Sequence, residues 1–268
     1  GIAFDFSVPA VLIMLAFGLV GFLDDFIKVK RKRNLGLRAY QKIIAQLLLS
    51  FAAAYYAYKS SFIGSTLYDP IFGSIELGGW YIPFTMFMII AVVNSANLTD
   101  GLDGLLSGVS LIYSIAMGVL FLYFAKVFDS SFINEPRFVA NRDGMLCMSV
   151  FAFAVAGGCL GFLKSNSYPA KVFMGDTGSM ALGGAMSAMV IYSRSPFLFL
   201  LMGVCIVASA VSVVLQVGSF KLRHGKRIFK MAPLHHHFEL LGYPETKVVS
   251  GYMIVTALAC VAALALFL

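Results

Sequence analysis

Three short stretches of this chain gather oxygen-bearing side chains at the edges of apolar runs, where such groups are costly to place. The first is Gly21-Phe22-Leu23-Asp24-Asp25-Phe26-Ile27-Lys28. Adjacent carboxylates repel, so a pair at a membrane edge calls for a cation, a shared proton or a water-filled cavity. The second, Asn94-Ser95-Ala96-Asn97-Leu98-Thr99-Asp100-Gly101-Leu102-Asp103-Gly104, joins two apolar segments and concentrates amides, hydroxyl and two carboxylates there. Its glycines permit a tight turn and close approach of a ligand. The third is Phe173-Met174-Gly175-Asp176-Thr177-Gly178-Ser179, placed just before a helix. Glycines at a helix N-terminus expose backbone N–H groups to an anion, and Asp176 offers a hard oxygen suited to Mg²⁺. A plain helix cap would use the same residue types.

A fourth stretch, Lys226-Arg227-Ile228-Phe229-Lys230-Met231-Ala232-Pro233-Leu234-His235-His236-His237-Phe238-Glu239, holds three of the four histidines. Consecutive histidines on a helix point about 100° apart and lack the i,i+4 pairing of helical zinc sites. Basic and imidazole groups facing a pool of aspartates suit a phosphorylated substrate better. Asp24, Asp25, Asp100, Asp103 and Asp176 come from three separate edges and converge by this reading. Aspartates holding Mg²⁺, with Lys, Arg and His neutralising phosphate oxygens, describe a phosphoryl-transfer site at a membrane face.

The elements that must position these groups are membrane helices. The chain has 268 residues, 60% hydrophobic and 12% charged, with mean hydropathy +0.87. A soluble domain carries roughly 45–50% apolar and about 25% charged residues, so a soluble enzyme and a disordered regulator are excluded. Spans of about 20 apolar residues are expected near 8–26, 41–59, 82–98, 104–125, 145–163, 179–193, 196–217 and 248–268, giving an all-α polytopic bundle of eight helices. A hairpin is expected in 71–83 and a short interfacial helix in 126–144. No linker or repeat divides the chain, so 1–268 reads as one integral-membrane domain.

Charge sets the orientation. Fifteen of the 20 Lys and Arg lie in the alternate loops 27–42, 99–103, 164–178 and 218–247, taken together, and five lie on the other side. By the positive-inside rule the basic loops, and the aspartates with them, are cytoplasmic. The net charge of +7 is thereby explained by loops, and nucleic acid is not an expected partner. Cys147, Cys159, Cys205 and Cys260 sit in apolar runs without a C-x-x-C pair, which argues against disulfides and zinc. The opening Gly1-Ile2-Ala3-Phe4 lacks an initiator Met, and the natural N-terminus is expected to be missing.

At the aspartate motifs the sequence resembles the polyprenyl-phosphate N-acetylhexosamine-1-phosphate transferase superfamily, essentially along its whole length. The stretch Met231-Ala232-Pro233-Leu234-His235-His236-His237-Phe238-Glu239 places the resemblance in the branch handling phospho-MurNAc-pentapeptide. The resemblance implies transfer of that group from UDP-MurNAc-pentapeptide to undecaprenyl phosphate, yielding lipid I and UMP in the bacterial cytoplasmic membrane. It further implies Mg²⁺ on Asp176, Asp24 as base with Asp25 beside it, and Asp100 and Asp103 serving nucleotide and diphosphate. Phe173 would stack on uracil. Asn94, Asn97, Asn166, Gly175 and Gln216 would position the donor, and Lys42, His235, His236 and His237 would contact diphosphate or sugar. It implies a homodimer and ten spans, of which this chain would lack the first two. Ser209 stands where the branch carries a glutamate. Two other readings remain: a sister enzyme using UDP-GlcNAc, and an ion-coupled transporter, since intramembrane carboxylates also mark ion paths.

Overall fold

The computed structural model describes residues 6–32, 35–69, 73–131 and 136–267, without the side chains of 128–131 and 136–140. It is a helical bundle: α1 (Ser7–Arg31), α2 (Ala39–Lys59), a hairpin of β1 (Thr66–Asp69) and β2 (Gly73–Glu76), α3 (Tyr81–Thr99), α4 (Leu105–Ser131), α5 (Pro136–Asn166), α6 (Gly175–Ser193), α7 (Pro196–Met202), α8 (Val204–Leu222), α9 (Leu234–Glu239) and α10 (Glu245–Ala265). Among the described residues, six helices are long and apolar enough to cross a membrane: α1, α3, α4, α5, α8 and α10. Helices satisfy their own backbone groups, which lipid requires.

The expected count of eight spans is therefore six by length and composition. The two that fall short, α2 and α6, have the length but not the apolarity. In α6 the reason is packing: Gly183–Ser193 are all buried, so small and hydroxylated side chains replace lipid-facing ones. A Cβ on Gly184 would lie 3.1 Å from Met14 Cα of α1, and one on Gly183 would lie 2.6 Å from Val93 Cα of α3. Two neighbouring glycines thus let α6 be pressed between α1 and α3 at near-backbone contact, as small residues do in membranes.

Other boundaries also shift. The apolar run 196–217 is two helices, because Gly203 interrupts it, with its N–H donating to Phe199 O (2.8 Å). The hairpin begins earlier than expected, pairing Thr66 with Glu76 and Asp69 with Gly73. The stretch expected to form an interfacial helix instead extends α4 and α5, with 132–135 outside the described residues. The hairpin caps one end of the bundle, where Tyr68 N donates to Arg194 O (2.8 Å), Arg194 Nε donates to Thr66 O (3.2 Å), and the Arg194 guanidinium lies 4.4 Å from the Tyr68 ring centre.

Candidate active site

At the opposite end the C-terminal turns of α1 and α3 meet the N-terminal turns of α2 and α6. Asp24, Asp25 and Asp176 each offer an oxygen within 4.8 Å of the others. Each carboxylate is held by fixed donors on one oxygen. Leu37 N donates to Asp24 Oδ1 (2.7 Å); Thr177 N and Oγ1 donate to Asp25 Oδ2 (2.8 and 2.7 Å); Asn97 Nδ2 donates to Asp176 Oδ1 (2.7 Å). The remaining oxygens turn to Lys28 Nζ, at 2.5 Å from Asp24 Oδ2, 3.3 Å from Asp25 Oδ1 and 2.8 Å from Asp176 Oδ2. Lys42, in the first turn of α2, adds a contact to Asp176 Oδ2 at 3.0 Å.

Local sequence explains this convergence. Gly175 has φ +65°, and a Cβ there would come within 2.8 Å of Asp25 Oδ2, so glycine admits the carboxylate to the start of α6. Asp176 sits in the first turn of α6, one residue inside the helix rather than before it, where the helix dipole favours its charge. Asn97 also donates to Ser179 Oγ (2.9 Å), locking α3 to α6. Hard oxygen donors in a preformed cluster, their charge partly offset by Lys28, suit a divalent cation among Asp24, Asp25 and Asp176.

Asp100 lies at the end of α3 without a hydrogen-bond or ion-pair partner among the described residues. Burial, followed by the charges of Asp176 and Asp25, pushes its carboxyl up to about 6. The folded protein holds this proton more tightly than the unfolded chain does. Stability therefore declines as pH rises from the ordinary carboxylate range through 6, and the penalty is complete above it. Asp100→Asn is expected to raise stability by on the order of 2–3 kcal/mol at pH 8 in metal-free solution, and hardly at all at pH 4. Denaturation at both pH values checks this; an equal gain at each would rule out the carboxyl's ionisation as its source.

The other predicted residues form the surroundings. Asn94 pairs with Gln46 (Nδ2 to Oε1, 2.8 Å) one turn before Asn97. Asp103 accepts from Ala170 N (2.8 Å), while its own N–H donates to Glu245 Oε1 (2.6 Å). Asn166 is buried, taking Ser107 Oγ–H (2.7 Å) and donating to Val172 O (3.0 Å). Asp103 and Asn166 brace the loop that presents Phe173, which is 73% exposed. Gln216 accepts from Ile228 N and Phe229 N (3.0 Å each), tying α8 to the histidine loop. His236 Nδ1 is 2.6 Å from Glu239 Oε2, and His237 Nδ1 accepts from Lys230 N (3.1 Å). His235 is fully enclosed, its ring packed where a side chain on Gly101 would fall. Burial and then His236 lower its pKa to about 4, so the ring is neutral at neutral pH.

None of Asp103, Asn166, Gln216 and His237 shares a hydrogen bond or ion pair with the three clustered carboxylates among the described residues. Sequence reading did not single out Lys28, Thr177, Ser179, Gln46 or Glu245 as site residues. Lys28 was detectable, since positions i+3 and i+4 from Asp25 and Asp24 share their helix face. Two apolar cavities lie in the bundle, the first reaching Thr177 next to Asp176. One, of about 520 Å³, runs between α1, α5 and α6 from Val11 to Thr177; the other, also about 520 Å³, runs along α3 and α8 from Phe87 to Asn94.

A membrane-helix bundle with an acidic cluster at one end is what comparison with known proteins also returns: the model of glycosyl transferase family 4 matches residues 7–194. Phospho-N-acetylmuramoyl-pentapeptide-transferase from Clostridioides difficile (strain 630) is 49% identical over 268 residues, 99% of this chain and 77% of that protein. The proteins of the same name from Caldanaerobacter subterraneus subsp. tengcongensis and Clostridium novyi (strain NT) are 47% and 45% identical, covering 91% and 94% of this chain and 71% of each relative. The chain belongs to glycosyl transferase family 4 and, within it, to the phospho-N-acetylmuramoyl-pentapeptide-transferases. It is a membrane transferase of cell-wall synthesis.

Proposed function

We propose that this chain transfers phospho-MurNAc-pentapeptide from UDP-MurNAc-pentapeptide to undecaprenyl phosphate, releasing UMP and forming lipid I. The observation that carries the proposal is the convergence of Asp24, Asp25 and Asp176, with Lys28 and Lys42, at one end of the bundle. Residues 1–268 act as one integral-membrane domain with eight spans, α2 and α6 included and α7–α8 counted as one. The fifteen basic residues of the site-bearing end support a cytoplasmic active site in the bacterial inner membrane. The working form is a homodimer.

Asp176, with one of the Asp24–Asp25 pair, would hold Mg²⁺, which when bound supplies charge for the diphosphate oxygens. An oxygen of the lipid phosphate attacks the phosphorus joined to the sugar, the bond to the uridylyl oxygen breaks, and UMP leaves. The other aspartate of the pair, left off the ion, accepts a proton from the lipid phosphate. The Asp25 side chain is 29% exposed against 5% for Asp24, which favours Asp25, with Asp24 holding the 36–37 loop. Lys42 and Asn97 keep Asp176 in place. Asp100, Asp103, Asn94 and Asn166 shape the donor side, with Phe173 free to stack on uracil and Gly175 giving close access. Gln216, His236 and His237 hold the loop that receives sugar and peptide, and His235 sets its seat on Gly101. The apolar cavity that reaches Thr177 supports a long-chain lipid acceptor.

The test is UMP release in detergent by the full-length protein from UDP-MurNAc-pentapeptide and undecaprenyl phosphate, with and without Mg²⁺. UMP is expected only with both substrates and Mg²⁺. Release from UDP-GlcNAc instead would move the chain to the sister activity, and no release from either donor by folded protein would overturn the proposal.

A further inference from the structure

We infer that Lys28 is a built-in occupant of the carboxylate cluster, whose ammonium yields its place when a divalent cation binds. The inference rests on the metal reading above. Asp24, Asp25 and Asp176 each have one oxygen fastened to protein donors that do not involve the lysine: Leu37 N, Thr177 N and Oγ1, and Asn97 Nδ2. The three opposite oxygens all converge on Lys28 Nζ, at 2.5, 3.3 and 2.8 Å. The frame that aims these oxygens is thus independent of the cation they surround. A divalent ion seeks the same oxygens at about 2.0–2.6 Å, so ammonium and metal cannot share the space. Three carboxylates this close repel one another, and a resident cation offsets that repulsion without metal. The Lys28 side chain is 32% exposed and its stem is flexible, which gives the ammonium a route to the rim. Lys42 differs: of the three carboxylates it touches only Asp176.

The binding of Mn²⁺ alone to the whole chain in detergent, read by the loss of the free-ion electron-spin resonance signal, tests this without turnover. Lys28→Gln is expected to bind Mn²⁺ roughly tenfold more tightly than the unaltered chain, since a competing charge is gone. Lys28→Arg should stay within about threefold of it, and Lys42→Gln should gain less than Lys28→Gln. Unchanged or weaker affinity in Lys28→Gln would overturn the inference while leaving the metal reading intact. Failure of both proteins to bind Mn²⁺ would remove the metal reading and this inference together. A second measurement needs no variant. Acylation of Lys28 by an amine reagent, followed by mass spectrometry, should quicken several-fold when Mn²⁺ is added, and an unchanged rate would overturn the inference.

Discussion

Asp176→Asn is expected to lower UMP release by roughly 10³-fold or more while leaving the unfolding temperature close to that of the unaltered chain. Asp176 is where four elements meet: Lys28 from α1, Lys42 from α2 and Asn97 from α3 all contact its carboxylate in the first turn of α6. An asparagine keeps the shape and one acceptor oxygen toward the lysines, and a flip of the Asn97 amide restores the partner on the other side. What disappears is the charge, and charge is what holds a divalent cation and answers the two ammonium groups. Removal of a single preorganised electrostatic group costs about 10²–10³ in rate elsewhere, and a metal ligand stands at the upper end. Steady-state UMP release and thermal unfolding in one detergent check both halves. Activity within tenfold of the unaltered chain would take Asp176 out of the chemistry; loss of folding would make it a structural tie instead.

Gly21→Ala is expected to destabilise the protein by about 3 kcal/mol or more, and to lose activity with it. A methyl group there would run into the carbonyl oxygen of Asp176 and lie 2.8 Å from Thr177 Cα. These are backbone atoms, which cannot rotate aside, so α1 must move off α6. Asp24 and Asp25 ride on the next turn of α1, and the displacement would part them from Asp176. Gly157→Ala on α5 is the matched control: a Cβ there meets nothing within 4 Å, and alanine is the better helix former by about 1 kcal/mol. Chemical or thermal unfolding of both variants in one detergent decides. Equal stability of the two would mean that α1 and α6 are not held at backbone contact.

The chemistry of this protein was more legible in its sequence than the arrangement of its helices. An aspartate pair at the end of an apolar run has few tolerable settings, so Asp24 and Asp25 called for a cation, a shared proton or a water-filled cavity, and Asp176 beside glycines suited a cation. Lys28 lay inside the quoted motif, yet it read as one more basic residue of a cytoplasmic loop. Its part emerges only when α6 brings Asp176 to the same helix face. The histidine loop was found by type, but which ring is buried depends on the close approach of Gly101, which no spacing rule gives. Apolarity marks lipid-facing helices, and it fails for α6, whose Gly183–Ser193 are enclosed by protein. Gly203 was visible in the sequence, but an unbroken apolar run around it hid the break between α7 and α8.

The clamp at the far end of the bundle bears on the site as well. α6 carries Asp176 in its first turn and runs directly into Arg194, which is bound to the hairpin through Thr66 and Tyr68. Both extremities of one stiff rod are therefore moored. Asp176 cannot shift along the helix axis without dragging on an anchor some 18 residues away, a length of about 27 Å at 1.5 Å per residue. The hairpin thus acts as a depth stop for chemistry at the opposite end of the bundle.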